Sequence, residues 1–300
     1  MSMHSAPVGM PGLSAIVRGV IRGTREMPPT VLVCVFLLVT LVLSAMFAPL
    51  LVDHSPTYQD LIRRMQPPAW VEGGSADYLL GTDGLGRDML SRLLYGGRIS
   101  LAVAGLAMLF GASFGTLLGL WAGYFGGIVD AVVMRVVDVL LALPTLLVAI
   151  VLAVAIGPSF WNVVFVVSFL LWPKITRQIR GEVLAVKEQD YVKYAEGIGR
   201  SRLSVMLRHL LPNVTPSLVV VATLELGHVV LLEASLSFIG AGIPPPNPSW
   251  GVMVDEGRAL LATGWWLSLF PGLAIMVTVL IFNTLGDWLR DILDPRLKLR

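Results

Sequence analysis

Three ionisable side chains set in an apolar run are the first candidates for chemistry: Glu225, His228 and Glu233. Glu225 and Glu233 are spaced to share one face of a helix, and His228 lies three residues from Glu225. Two carboxylates and an imidazole at that spacing can relay a proton, hold a metal or line a cavity. They can also hydrogen-bond across helices, and a carboxylate–His pair alone does not choose among these. A second cluster is Asp130, Arg135 and Asp138, in which the i,i+3 spacing of Arg135 and Asp138 predicts an ion pair on one helical face. No phosphate-cradling G-x-x-x-x-G-K-[ST], no H-E-x-x-H and no G-x-S-x-G occurs. Gly197-Ile198-Gly199 lacks the third glycine of a dinucleotide turn. The expectation is therefore a chain with no catalytic residues, no metal site and no cofactor of its own.

Composition says what positions these groups. The chain has 300 residues, of which 55% are hydrophobic and 14% charged, with a mean hydropathy of +0.77. A soluble domain carries about 25% charged residues, so the chain reads as an all-α integral membrane protein. Cys34, the single cysteine, lies in an apolar run and excludes a disulfide framework. About 20 apolar residues cross a bilayer as a helix, and six candidates emerge: 31–52, 99–123, 129–156, 160–174, 216–240 and 265–285. The first run is too long for a cleaved leader's apolar core and reads as an uncleaved anchor.

Most of the lysines and arginines fall on one side if the N-terminus is inside, which places both termini in the cytoplasm. Residues 1–30 then form a cytoplasmic segment in which Leu13, Ile16, Val17, Val20 and Ile21 recur at helical spacing opposite Arg18, Arg22 and Arg25, as in a helix lying on lipid headgroups. Residues 53–97, rich in Pro and Gly, are expected to be an irregular extracytoplasmic loop. Residues 98–287 form the core, with a cytoplasmic loop at 175–212, and 288–300 a cytoplasmic tail. Within the second span Ala107, Gly111, Gly115, Gly119 and Gly123 recur at steps of four, a ridge along which another helix can approach closely.

The polar stretch Lys174–Pro212 interrupts the apolar sequence and carries eight basic residues and four acids. Asp190 to Ile198 is predicted to form a short helix with Tyr191, Ala195 and Ile198 on one side, stopped by Gly199 in a left-handed cap. Asp190-Tyr191-Val192-Lys193-Tyr194-Ala195-Glu196-Gly197-Ile198-Gly199, continuing to Leu211-Pro212-Asn213, resembles the "EAA" loop of binding-protein-dependent ABC importer permeases. Ala195, Gly199, Leu211 and Pro212 match that pattern; Lys193 stands where Glu is usual, Tyr194 where Ala is usual and His209 where Ile is usual. Gly81-Thr82-Asp83-Gly84-Leu85-Gly86-Arg87-Asp88 and Glu233-Ala234-Ser235-Leu236-Ser237-Phe238-Ile239-Gly240 are similar to segments of the C-type subunits of dipeptide and oligopeptide permeases. So are Pro248-Ser249-Trp250-Gly251 and Asn283-Thr284-Leu285-Gly286-Asp287-Trp288, with the ending Asp294-Pro295-Arg296.

The resemblance implies the six-helix, type I ABC importer permease architecture in a bacterial inner membrane. It implies a second permease subunit, one or two ATP-binding subunits that hold the ATP, an extracytoplasmic substrate-binding protein, and no nucleic acid. It also implies that Tyr191, Lys193, Tyr194, Ala195, Glu196, Gly199, Arg200, Leu211 and Pro212 form the loop that couples to the ATPases. The cargo expected is a dipeptide or oligopeptide. The alternatives are nickel chelates, glutathione or another small solute on the same architecture, and a proton-coupled carrier using Glu225, His228 and Glu233.

Overall fold

The computed structural model describes residues 27–293, and every regular element among them is helical. The expected headgroup helix and the Asp294-Pro295-Arg296 ending lie outside the described residues. α1 (Pro29–Met46) begins on a proline, whose missing N–H is no loss at a first helical position. It buries Val31 against Ile281 and Leu285 and leaves Leu32, Val33 and Phe36 exposed as apolar outer surface.

α2 (Met89–Phe125) starts ten residues before the expected span. Asp88 caps it, its carboxylate accepting from the N–H of Leu90 and Ser91. Arg92 and Arg98 disguise that first part as loop in the sequence. The expected third span is two helices, α3 (Gly127–Ala142) and α4 (Thr145–Ile156), bent by 94°. Pro144 lies in the break, because proline disfavours helical backbone in the residue before it.

α5 (Phe160–Lys187) does not end at Lys174 but runs through Pro173 and thirteen residues beyond the expected terminus. The reason is the glycine ridge of α2. Its Gly111, Gly115, Gly119 and Gly123 meet Leu171, Ile175, Ile179 and Val183 of α5, one side chain per glycine. A methyl group on Gly115 would come within 2.8 Å of Ile175 Cβ and of the Trp172 carbonyl oxygen. Thr176 donates to the Gly115 carbonyl at 3.0 Å and Ser168 to that of Ala107 at 3.3 Å. Both partners of the ridge are thus in one chain. The four-residue repeat of Leu171, Ile175, Ile179 and Val183 was a readable helical signal masked by Arg177, Arg180 and Lys187.

Two short helices follow, α6 (Asp190–Gly197) and α7 (Arg202–Val205), and a π-turn at Met206–Leu210 leads into α8 (Leu211–Phe238). α9 (Trp250–Arg258) and α10 (Trp266–Leu293) complete the fold. Among the described residues α1, α2, Arg202–Phe238 and α10 are long and apolar enough to cross a membrane; the bent α3–α4 pair raises the number to five. α5, the fourth of the six expected spans, is not among them, because half its length is the charged extension that covers the glycine ridge.

Candidate functional site

The loop between α5 and α8 is built as a small bracket. α6 presses Val192 and Ala195 into its own chain, both buried, while Tyr191 is half-buried and its phenol is raised by that burial. Gly199 stops α6 at φ +79°, where an L side chain is disfavoured, and its N–H donates to the Glu196 carbonyl. No heavy atom lies within 4 Å of the position a Cβ would take there, so conformation and not space demands the glycine. Ser201 caps α7 through the Ser204 N–H.

The exposed apolar residues of this bracket are Tyr194, Ile198, Leu203 and Leu207. They replace the predicted ridge of Tyr191, Ala195 and Ile198, of which only Ile198 faces outward: the helix is so short that its 3.6-residue period alone does not say which side the rest of the chain covers. Lys193, Glu196 and Arg200 are exposed, and Lys193 pairs with Glu188 at 2.8 Å, whose hydrogen bond holds the Glu188 carboxyl below its usual range.

Arg202 to Phe238 reads as one continuous helix of 37 residues. Pro212 and Pro216 offer no N–H to the carbonyls a turn earlier, and the chain takes up the mismatch by widening one turn, with the Leu211 N–H reaching back to the Met206 carbonyl. The bracket's second half, including Leu211 and Pro212, is therefore the end of the same rod that carries Glu225.

Midway along α8 Glu225 faces Lys174, midway along α5, at 3.2 and 3.3 Å. His228 Nδ1 stands 4.0 Å from the same carboxylate, and 65% of its side chain is exposed. These three line a cavity of about 280 Å³ between α5, α8 and the Pro144 break, walled by Leu140, Leu141, Leu170 and Leu232. Glu233 is not there. It is fully buried, and Ser237 donates to it at 2.8 Å. The expected shared face fails because eight residues of a 3.6-residue helix leave the two positions about 80° apart. That is enough to turn one toward the cavity and the other into the protein. The predicted Arg135–Asp138 pair is also absent: Asp138 pairs with Arg177 and Asp130 with Arg180 at 2.6 Å, both across to α5. The extension of α5, unforeseen in the sequence, supplies both arginines.

At the far end of α2 a knot of charge escaped sequence reasoning. Asp83 accepts from Arg87 Nε at 2.6 Å and from Arg92, and Glu256 of α9 accepts from Arg87 at 3.0 Å and Arg92 at 2.7 Å. Asp83 and Arg92 are buried. Trp250 lies against Gly97, and its indole N–H donates to the Leu93 carbonyl at 3.0 Å. No group of three or more His, Cys, Asp or Glu side chains among the described residues could hold a metal ion.

Residues 115–299 match the model of the binding-protein-dependent transport system inner membrane component. The chain is 40% identical to the dipeptide transport system permease protein DppC of Haemophilus influenzae, over 88% of this chain and 89% of that one. It is 40% identical to the di/tripeptide transport system permease protein DppC of Pseudomonas aeruginosa, over 86% and 85%. It is 44% identical to the glutathione transport system permease protein GsiD of Pectobacterium atrosepticum, over 76% and 75%. In fold it is similar to the crystal structure of an amino acid ABC transporter with histidines, at a TM-score of 0.50 and 16% identity, covering 65% of this chain and 91% of that one. The chain belongs to the family of binding-protein-dependent transport system inner membrane components, multi-pass permeases of the bacterial inner membrane.

Proposed function

We propose that this chain is one of two permease subunits of an ATP-driven importer of dipeptides and oligopeptides, forming half of the translocation pathway. Its relatives named for dipeptides, di/tripeptides and glutathione support that cargo class. In this reading the chain crosses the membrane six times with both termini inside. It contacts one or two ATP-binding subunits at the α6–α7 bracket and an external binding protein on the opposite face. It performs no catalysis, and ATP is held by its partners.

The observation that carries the mechanism is the helical continuity from Arg202 to Phe238. An ATPase gripping Tyr194, Ile198, Leu203 and Leu207 holds four exposed apolar side chains, and α8 moves with them. A displacement of the bracket reaches Glu225 through continuous helix, by way of the widened turn at Met206–Leu210. A proton-driven carrier has less support, because Glu233 is fully buried against Ser237 and does not line the cavity that Glu225 and His228 share.

Gly199→Leu tests the coupling. The side chain has room, and the left-handed backbone costs roughly 1–2 kcal/mol, so the importer is expected to reach the membrane and assemble but lose most peptide uptake. Tyr194→Asp with Ile198→Asp, both at exposed positions, is expected to leave the permease folded and to abolish co-purification of the ATPases. Undiminished uptake in both variants would overturn the role of the bracket.

A further inference from the structure

The mechanism above does not use the Lys174–Glu225 pair, yet its placement is unusual. Glu225 lies inside the apolar run of α8, where an ionisable group is costly and usually functional, and Lys174 closes the apolar half of α5, where the charged extension begins. The pair is not a buried structural clamp, since 47% of the Lys174 side chain and 16% of the Glu225 side chain are open. Its distances of 3.2 and 3.3 Å exceed the roughly 2.7–2.9 Å of a tight ammonium–carboxylate contact. A loose pair whose lysine is half open contributes less to stability than a tight buried one. Both groups, with His228 beside Glu225, face a cavity whose other walls are mostly apolar, next to Pro173 of α5 and the Pro144 break.

We propose that Lys174 and Glu225 form a transit site for the charged ends of a short zwitterionic peptide, Lys174 receiving the carboxylate and Glu225 the ammonium. This deepens the import reading and rests on it. The charge complementarity is one to one. When the cavity is empty the two side chains neutralise each other, and when a peptide enters each exchanges one opposite charge for another. A zwitterion thus passes an apolar wall without either end losing a counter-charge. Glu225 lies on the rod that ends in the coupling bracket, whereas Lys174 lies on α5, which is held to α2 by the glycine ridge. Movement of the rod relative to α5 changes the separation of the two charges, so the same stroke that opens the cavity alters its grip on the peptide.

The test uses the complete importer, with its second permease, ATPases and binding protein, in proteoliposomes. Uptake of alanyl-alanine, its C-terminal amide and its N-acetyl derivative is measured for the wild type, Lys174→Gln, Glu225→Gln and the exchanged pair Lys174→Glu with Glu225→Lys. Lys174→Gln is expected to lower uptake of alanyl-alanine on the order of tenfold and that of the amide by no more than about twofold. Glu225→Gln is expected to spare the N-acetyl derivative instead. Equal losses for all three peptides, or full recovery in the exchanged pair with the same loss for all three in the single variants, would mean a purely structural pair and overturn the proposal.

A second readout serves if the wild type admits only the free dipeptide. In a Cys34→Ser background, maleimide labelling of Ser235→Cys in the cavity wall is expected to slow several-fold with alanyl-alanine, and not to slow when Lys174→Gln or Glu225→Gln is added. Labelling indifferent to peptide overturns the proposal. A wild-type importer that takes up no peptide instead sinks the import reading, whereas normal wild-type uptake with unaffected variants sinks only the transit site.

Discussion

Two regions hold α2 in place by opposite means. Along its length, glycines at steps of four let α5 approach until backbone and side chain touch, and the hydroxyls of Thr176 and Ser168, with Lys187 donating to the Tyr124 carbonyl at the end of the ridge, add polar contacts. At its Asp83 end, four charged side chains from a loop, the first turn of α2 and α9 converge on one another. The difference follows the surroundings. Among apolar helices there is no hydrophobic gain in joining one to another, so close packing and a few hydrogen bonds must suffice. Where irregular chain must be fixed to a helix end, charges supply direction, and each buried one needs its partners.

The seam is the more brittle of the two. Gly115→Leu places a branched side chain where even a methyl meets Ile175 and the Trp172 carbonyl at 2.8 Å. It is expected to prevent α5 from closing on α2 and to remove folded protein from the membrane fraction. Gly115→Ala is expected to cost roughly 1–3 kcal/mol, typical of an overfilled site, seen as a lower melting temperature in detergent. A melting temperature unchanged in both would mean that the seam is not close-packed.

The knot is graded. Asp83 is 4% exposed and answers two arginines, so Asp83→Asn leaves two buried cations with the single carboxylate of Glu256. The expected loss is roughly 3–5 kcal/mol, as for other broken buried pairs. Glu256, with 35% of its side chain open, is worth far less: Glu256→Gln is expected to cost about 1 kcal/mol or less. Thermal melts of the two variants in detergent measure the contrast, and equal losses would show that the knot acts as one unit.

Legibility followed the same divide. The glycine ridge was visible because steps of four in small residues have one physical meaning in a membrane helix. Its partner was not read, since the charges of Arg177, Arg180 and Lys187 outweighed the four-residue repeat of Leu171, Ile175, Ile179 and Val183. The knot was illegible because Asp83 and Glu256 are far apart in sequence and neither spacing nor composition pairs them. The left-handed stop at Gly199 was local and could be read, while the side that α6 exposes depends on what covers Val192 and Ala195. Pro144 announced a break, yet hydropathy ran across it and suggested one span where there are two helices.

A third ionic contact sharpens the comparison from its weak end. Lys193 and Glu188 lie 2.8 Å apart, but 56% and 71% of their side chains are exposed. The hydrogen bond to Lys193 lowers the Glu188 carboxyl and the contact raises the lysine. For a carboxylate lowered on folding, any stabilisation is present above its unfolded value and is lost as the pH falls through the folded one. The Lys193 contribution has the opposite sign, present below the unfolded lysine value and lost as the pH rises through the raised one. Near neutral pH both are fully present, and water still screens them. Lys193→Ala is therefore expected to leave the melting temperature unchanged at neutral pH, in contrast to Asp83→Asn, although the contact distances are alike. A clear drop for Lys193→Ala would show that contact geometry outweighs burial in this protein.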